Sequence, residues 1–203
     1  SVAAQMSRGK SEKTVAFAMS SVAATLAKFS MDVCLYMSQN FDFITLPSHL
    51  TTGSSIMPHK KNPDVFELIR GKCNKIQALP YEITLITNNL PSGYHREFQL
   101  LKEGLFPAIQ NLKACLDIAI FSIKDIKVKD NILADPKYNY LFTVDTLNEM
   151  VVAGMPFRDA YKAVAEQLEN GTYESPKATQ HTHEGSINNL CLKEIKEKMQ
   201  NAF

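Results

Sequence analysis

The chain has 203 residues, of which 45% are hydrophobic and 21% are charged, and its formal net charge is +1. This composition is ordinary for a soluble globular protein, and so small a net charge gives no electrostatic case for binding nucleic acid or an anionic membrane. No apolar run approaches the length of a membrane span, and the first residues do not resemble a secretory signal. We therefore expect a protein with neither a nucleic-acid partner nor a membrane partner.

The cysteine pattern favours a reducing compartment. Four cysteines, Cys34, Cys73, Cys115 and Cys191, are widely spaced and form no Cys-x-x-Cys pair. Reduced thiols in a cytoplasmic protein explain this spacing better than disulfides or a zinc site. We expect no metal and no cofactor. Because the chain begins with Ser1 and not with methionine, we also expect it to be a piece of a longer protein.

Residues 11–39 carry the pattern of a long helix in a bundle. Apolar residues recur at alternating spacings of four and three, as in a heptad repeat: Val15, Met19, Val22, Leu26, Phe29, Val33 and Tyr36. A second apolar set, which includes Phe17 and Met31, follows the same period on another face. A helix that is apolar on more than one face must be covered on more than one side, so we predict that the chain oligomerises.

Two further long helices are predicted. One should run from Pro63 to about Asn89 with a kink at Pro80, because proline removes a backbone hydrogen bond. The other carries apolar residues from Phe98 to Ile123, with Pro107 as a further local kink. Three long helices joined by short connections predict an all-α, up-and-down bundle.

The pattern changes beyond Lys124, where only short helical segments are predicted. We place a boundary near Ile126, so that residues 1–125 form the bundle portion and residues 126–203 form a small C-terminal helical subdomain. No segment alternates apolar and polar residues clearly enough to predict a strand.

Residues 52–67 read Thr-Gly-Ser-Ser-Ile-Met-Pro-His-Lys-Lys-Asn-Pro-Asp-Val-Phe-Glu. Glycine and serine give the first part little steric restriction, and the two prolines exclude a continuous helix. Asn62, Pro63 and Asp64 are typical of a helix start, with Asn62 as the capping residue. A loop at the positive end of a helix, beside Lys60 and Lys61, is suited to binding anions. The alternative is a basic, solvated loop between helices.

The same residues resemble the signature of the fumarase/aspartase superfamily, Gly-Ser-Ser-x-Met-Pro-x-Lys-x-Asn-Pro. Members of this superfamily eliminate an amine or water from a succinyl group and release fumarate. The resemblance implies that Ser54 is the base that removes the proton. It also implies that Lys60 and Asn62 hold the carboxylate on which negative charge develops, and that Glu67 orients Lys60 or a catalytic partner.

A second stretch, residues 90–103, resembles the argininosuccinate lyase family within that superfamily. The family places a tyrosine, a glutamine five residues later and a lysine three residues further on against the substrate, which implies that Tyr94, Gln99 and Lys102 bind it. A phenol and an amide offer directional hydrogen bonds, and an ammonium group pairs with a carboxylate. Arg8, in a string that differs from its usual form in the family, is a further candidate for substrate binding. Without the resemblance, these would be ordinary surface residues.

The resemblance covers essentially the whole chain and implies the C-terminal portion of a longer enzyme whose N-terminal half is absent. It further implies a homotetramer with active sites shared between subunits, a small-molecule substrate, and a general acid outside this chain. Three alternatives stay open: adenylosuccinate lyase, which has the same loop; a non-catalytic structural relative; and a helical oligomerisation module.

Overall fold

The computed structural model of the chain describes residues 2–176 and 181–202. A short helix, α1 (Val2–Met6), precedes the long helix α2 (Lys10–Tyr36). Next come α3 (Asp64–Gln77), α4 (Leu79–Ile86) and α5 (Leu101–Ile123). These helices confirm the predicted all-α bundle.

Helices α3 and α4 run antiparallel to α2. Near the C-terminal end of α2, the ring of Phe29 packs edge-on against Phe66 of α3, with centroids 5.9 Å apart. Near its N-terminal end, Gly9 approaches Thr87, which follows α4. Helix α5 then returns in the direction of α2 and packs on α3 and α4. The two ends of the bundle therefore bring together residues that are far apart in the sequence.

The core face of α2 differs in part from the predicted heptad stripe. Met19, Leu26 and Val33 are buried as expected, but Val15 and Val22 are each 44% exposed. Small residues complete the buried face instead: Ala16, Ala23, Ala27 and Ser30. The prediction ranked side chains by hydrophobicity, whereas close packing against α3 requires small side chains at the contact.

The helix features predicted from proline and from Asn62 can be compared with the structure. The single helix predicted over residues 63–89, with a kink at Pro80, is instead two helices divided at Ala78, and Pro80 lies in the first turn of the second one. The predicted Asn62 cap is wrong, because α3 begins at Asp64 and its N-terminal flank makes no side-chain capping bond. Helix α5 continues through Pro107.

Two short strands, which the sequence did not predict, fasten the end of the bundle that carries the signature loop. Strands β1 (Ile44–Thr45) and β2 (Lys127–Val128) pair antiparallel, with Ile44 opposite Val128. Asp42 and Lys129 form an ion pair beside them. Each strand has only two residues, too few for an alternating pattern to be recognised.

The chain divides into two compact units, Ser1–Asp130 and Asn131–Phe203. The described residues of the second unit form two 3₁₀ segments, Ile132–Ala134 and Pro136–Phe142, and three α-helices. These helices are α6 (Thr143–Val152), α7 (Phe157–Glu169) and α8 (Leu192–Gln200). Leu147, Ala160 and Val164 form the small core of this unit. The sequence-based boundary at residue 126 lies a few residues earlier.

Large apolar side chains remain uncovered on the first unit. On α2 these include Phe17, which is 57% exposed, and on α5 they include Phe106 and Ile120, at 56% and 58%. The segments Lys10–Tyr36 and Arg96–Ile123 are long and apolar enough, by length and composition alone, to cross a membrane. A core helix of a large soluble bundle passes the same test, and exposed apolar faces of this extent are typical of interaction surfaces.

The cysteines provide a test of this packing. Burial, together with a smaller contribution from the neighbouring Cys115 thiol, raises the pKa of the Cys73 thiol to about 12. Since the thiolate is the reactive form, we expect Cys73 to resist a maleimide at pH 8 in the folded chain, while the more exposed Cys191 reacts. Mass spectrometry after timed labelling measures both rates, and labelling in denaturant is the control. Equal native rates would contradict the packing of α3 on α5.

Candidate functional site

The signature loop is closed at its base by a backbone bridge. Thr52 N–H donates to the carbonyl of Asn62 at 3.1 Å, and Asn62 N–H donates to the carbonyl of Thr52 at 2.8 Å. The Thr52 hydroxyl also donates to the carboxylate of Asp64 in the first turn of α3. The backbone of Asn62 thus closes the loop.

Within the loop, two backbone groups point at the hydroxyl oxygen of Ser54. The N–H of Ile56 donates to Ser54 Oγ at 3.2 Å, and the N–H of Met57 donates to it at 3.1 Å. Donors aimed at an oxygen stabilise negative charge on it. Ser55, by contrast, is exposed and makes no hydrogen bond among the described residues. The two serines of the loop therefore differ, because only the Ser54 hydroxyl accepts backbone hydrogen bonds within the described part of the chain.

A cleft of about 710 Å³ lies between this loop and the C-terminal end of α2. Lys60, Asn62 and Glu67 line it, as three of the four predicted catalytic residues. Ser54 lies in the loop outside the lining residues. Lys60 and Lys61 form no ion pair within the described part of the chain, so the cleft offers two free ammonium groups to an anion.

The sequence analysis did not find the cleft residues that come from α2 and from the segment after it. They include Cys34 and Asp42. Burial raises the pKa of the Cys34 thiol, with a smaller opposing effect from the Arg70 guanidinium. No local motif marks these residues, because only the antiparallel packing of α3 brings the loop to them.

The predicted substrate-binding residues lie together in a second cavity of about 410 Å³. The guanidinium carbon of Arg8 lies 4.9 Å from the centre of the Tyr94 ring. The amide of Gln99 donates to the Tyr94 hydroxyl, and Lys102 Nζ donates to Gln99 Oε1 at 3.1 Å. Arg8, Tyr94, Gln99 and Lys102 thus form one connected set. Glu12, which the sequence analysis did not single out, also lines this cavity.

Gly9 determines how closely the start of α2 approaches Thr87 and Phe98. Its φ is +80°, a left-handed conformation that favours glycine. A Cβ atom there would lie 2.7 Å from a methyl group of Thr87 and 3.3 Å from the ring of Phe98. Glycine therefore lets the start of α2 pack on the end of α4.

The two cavities lie at opposite ends of α2. The cleft includes Cys34 and Met37 at the C-terminal end, whereas the second cavity includes Arg8 and Glu12 at the N-terminal end. Helix α2 has 27 residues, so its length is about 40 Å. A small molecule cannot contact both cavities of the same chain.

His59 lines the cleft, whereas other histidines of the described structure lie elsewhere. His49 Nε2 lies 3.3 Å from the Asp125 carboxylate, and its side chain is 57% exposed. In the second unit, His181 Nε2 lies 2.7 Å from Asp145 Oδ1, and the ring of His183 is 6.0 Å from that of His181. Each of these pairs lies outside both cavities as their lining residues define them.

Sequence comparisons identify close relatives. The family profile with the description "Lyase" matches residues 5–78. The argininosuccinate lyase of Parabacteroides distasonis is 56% identical over 202 residues, which is 100% of this chain and 45% of that protein. The argininosuccinate lyase of Stenotrophomonas maltophilia R551-3 is 35% identical, over 97% of this chain and 46% of that protein. The chain thus spans less than half the length of these relatives, and its predicted location in their C-terminal portion stays a prediction.

Solved structures support the fold. Class II fumarase from Schistosoma mansoni matches with a TM-score of 0.66 and 20% identity, over 80% of this chain and 34% of that chain. The 3-carboxy-cis,cis-muconate lactonizing enzyme from Pseudomonas putida matches with a TM-score of 0.67 and 18% identity, over 82% and 38%. At these identities the likeness concerns the fold alone.

Replacing Gly9 should destabilise the junction of α2 and α4. We expect Gly9→Ala to lower the free energy of unfolding by roughly 1–3 kcal/mol, because of the left-handed backbone and the contact with Thr87. Urea unfolding followed by circular dichroism measures this change. Gly71→Ala is the matched control, since a Cβ at this exposed helical position meets nothing within 4 Å, and it should be neutral or stabilising. A neutral Gly9→Ala would contradict the packing described here.

Proposed function

The chain belongs to the argininosuccinate lyase family of the fumarase/aspartase superfamily, and on that premise we propose that the full-length protein containing it releases arginine and fumarate from argininosuccinate. The observation that carries the proposal is the Ser54 hydroxyl, whose oxygen receives two backbone N–H groups beside a cleft lined by Lys60 and Asn62.

In this mechanism, Ser54 acts as the base. It takes a proton from the succinyl carbon next to a carboxylate, and the electron pair moves into that carboxylate. The carbon–nitrogen bond then breaks, and the double bond of fumarate forms. A serine hydroxyl is a very weak base, so the reaction requires stabilisation of its deprotonated form. The N–H groups of Ile56 and Met57 supply donors at 3.2 and 3.1 Å.

Lys60 and Asn62 hold the carboxylate that gains charge. Both line the cleft, and Lys60 has no competing ion pair in the described structure. The N-terminal end of α3 adds a favourable dipole, because the helix begins at Asp64, directly after the loop. Glu67, one turn into that helix, lines the same cleft and is suited to orienting Lys60.

The second cavity binds the rest of the substrate. Tyr94, Gln99 and Lys102 are linked by hydrogen bonds, and Arg8 stacks on Tyr94. This arrangement supports the assignment of all four residues to substrate binding. The cavity combines two cations with directional donors and acceptors, as recognition of a polar carboxylate-bearing ligand requires.

The distance between the two cavities supports a shared active site. Because they lie at opposite ends of α2, a complete site needs the signature loop of one copy and the Tyr94 cavity of another. The uncovered apolar faces of α2 and α5 are suitable contact surfaces between copies. We propose a cytoplasmic homotetramer, with the general acid supplied by the part of the full-length protein outside this chain.

Replacing Ser54 tests the chemical step. In the full-length protein, Ser54→Ala should lower kcat by about 10²–10⁴-fold, the usual contribution of a general base, with little change in KM. Ser55→Ala is the matched control, because Ser55 lies next in the same loop and has no hydrogen bond in the described structure. Fumarate release, followed by absorbance, gives both constants. Near-normal turnover by Ser54→Ala would refute the assignment.

Mixing two inactive variants tests the shared site. Ser54→Ala and Lys102→Met should each be nearly inactive as homo-oligomers. After joint refolding, roughly a quarter of the sites would combine two unmodified parts if the loop and the cavity come from different copies, so activity should return. Two separately refolded variants, mixed afterwards under conditions that prevent subunit exchange, are the control. A mixed oligomer without activity would contradict sharing.

The substrate is tested by competition between two succinyl compounds. The full-length protein is offered argininosuccinate and adenylosuccinate in parallel, and fumarate release is recorded. Release from argininosuccinate alone supports the function proposed here. Release only from adenylosuccinate would retain the role of Ser54 and overturn that of Tyr94, Gln99 and Lys102. Release from neither would favour a structural relative.

A further inference from the structure

The cavity around Tyr94 contains one carboxylate among its cations. Glu12 lies in the first turn of α2, is half-buried, and lines this cavity together with Arg8 and Lys102. It forms no ion pair with any residue that the structure describes. The carboxylate is therefore available to a ligand.

The cations of the cavity are already held in position. Lys102 donates to Gln99, Gln99 donates to Tyr94, and Arg8 stacks on the Tyr94 ring. This network fixes Arg8 and Lys102 through uncharged partners, so both keep their charge for a ligand carboxylate. A cavity that has fixed cations and a separate free carboxylate is complementary to a zwitterion.

We propose that Glu12 accepts the α-ammonium group of the arginyl end of the substrate, while Arg8 and Lys102 hold its α-carboxylate. This inference rests on the proposed function. The guanidino nitrogen of argininosuccinate is the leaving atom and must lie at the Ser54 loop of another copy. The groups that remain for the distant end are the α-carboxylate and the α-ammonium. Glu12 is thus the residue that makes the cavity select an α-amino acid.

A purely structural role for Glu12 predicts a different result. An acidic residue in the first turn stabilises a helix through its dipole, whatever ligand is present. Loss of that effect would weaken binding of all ligands alike. Only a direct contact makes the effect of the substitution depend on the ammonium group.

The experiment uses L-arginine and 5-guanidinopentanoate, which lacks only the α-ammonium group, as competitive inhibitors of argininosuccinate turnover by the full-length protein. The unmodified enzyme should bind L-arginine more tightly than 5-guanidinopentanoate. Glu12→Gln should raise the inhibition constant of L-arginine by about tenfold, as expected for loss of one charge-assisted hydrogen bond. It should leave the inhibition constant of 5-guanidinopentanoate unchanged. Glu12→Asp should restore part of the preference.

Glu103→Gln is the matched control, since Glu103 also lies in the first turn of a long helix but lines a different cavity. It should leave both inhibition constants unchanged. Equal weakening of both inhibitors by Glu12→Gln, or no weakening, would overturn the assignment. An unmodified enzyme that turns over argininosuccinate but does not prefer L-arginine would overturn it without any variant. If the unmodified enzyme does not turn over argininosuccinate, that result would instead refute the proposed function itself.

Discussion

The antiparallel packing of α2 against α3 and α4 is the contact on which the other features depend. Small side chains on α2, such as Ala16, Ala23 and Ser30, are completely buried there. Opposite them, α3 contributes Phe66, Ile69 and Cys73, which are equally well buried. Dispersion contacts depend steeply on distance, so this close approach determines the register of the two helices. That register in turn determines which loops meet at each end of the bundle.

At one end, the register brings the signature loop to the last turns of α2. The backbone bridge between Thr52 and Asn62 closes the loop, and the strand pair Ile44–Thr45 with Lys127–Val128 fastens the chain before it. Within the closed loop, two backbone N–H groups donate to the Ser54 hydroxyl oxygen, although the loop has no regular secondary structure. The chemistry proposed for this serine depends on that geometry, because an isolated hydroxyl has no means of stabilising its deprotonated form.

At the other end, Gly9 allows the start of α2 to pack closely on Thr87 and Phe98, and the adjacent Arg8 stacks on the Tyr94 ring. The length of α2 keeps this cavity away from the loop of the same chain, and the apolar faces of α2 and α5 are left uncovered. These two facts have the same explanation if copies associate through those faces. Association would cover the apolar side chains and bring complementary halves of a site together.

The sequence alone determined the all-α bundle and its three long helical segments, and it placed an irregularity of the second segment near Pro80, because helical periodicity and proline are local signals. The resemblance to a known family likewise predicted Ser54, Lys60, Asn62 and Glu67 as one set and Tyr94, Gln99 and Lys102 as another. Only the tertiary structure decided which face of α2 is buried, that Asn62 closes the loop in place of capping α3, and that Glu12 lies in the Tyr94 cavity. Such features depend on contacts between residues distant in sequence, and neither hydrophobic period nor motif spacing encodes the helix register that creates them.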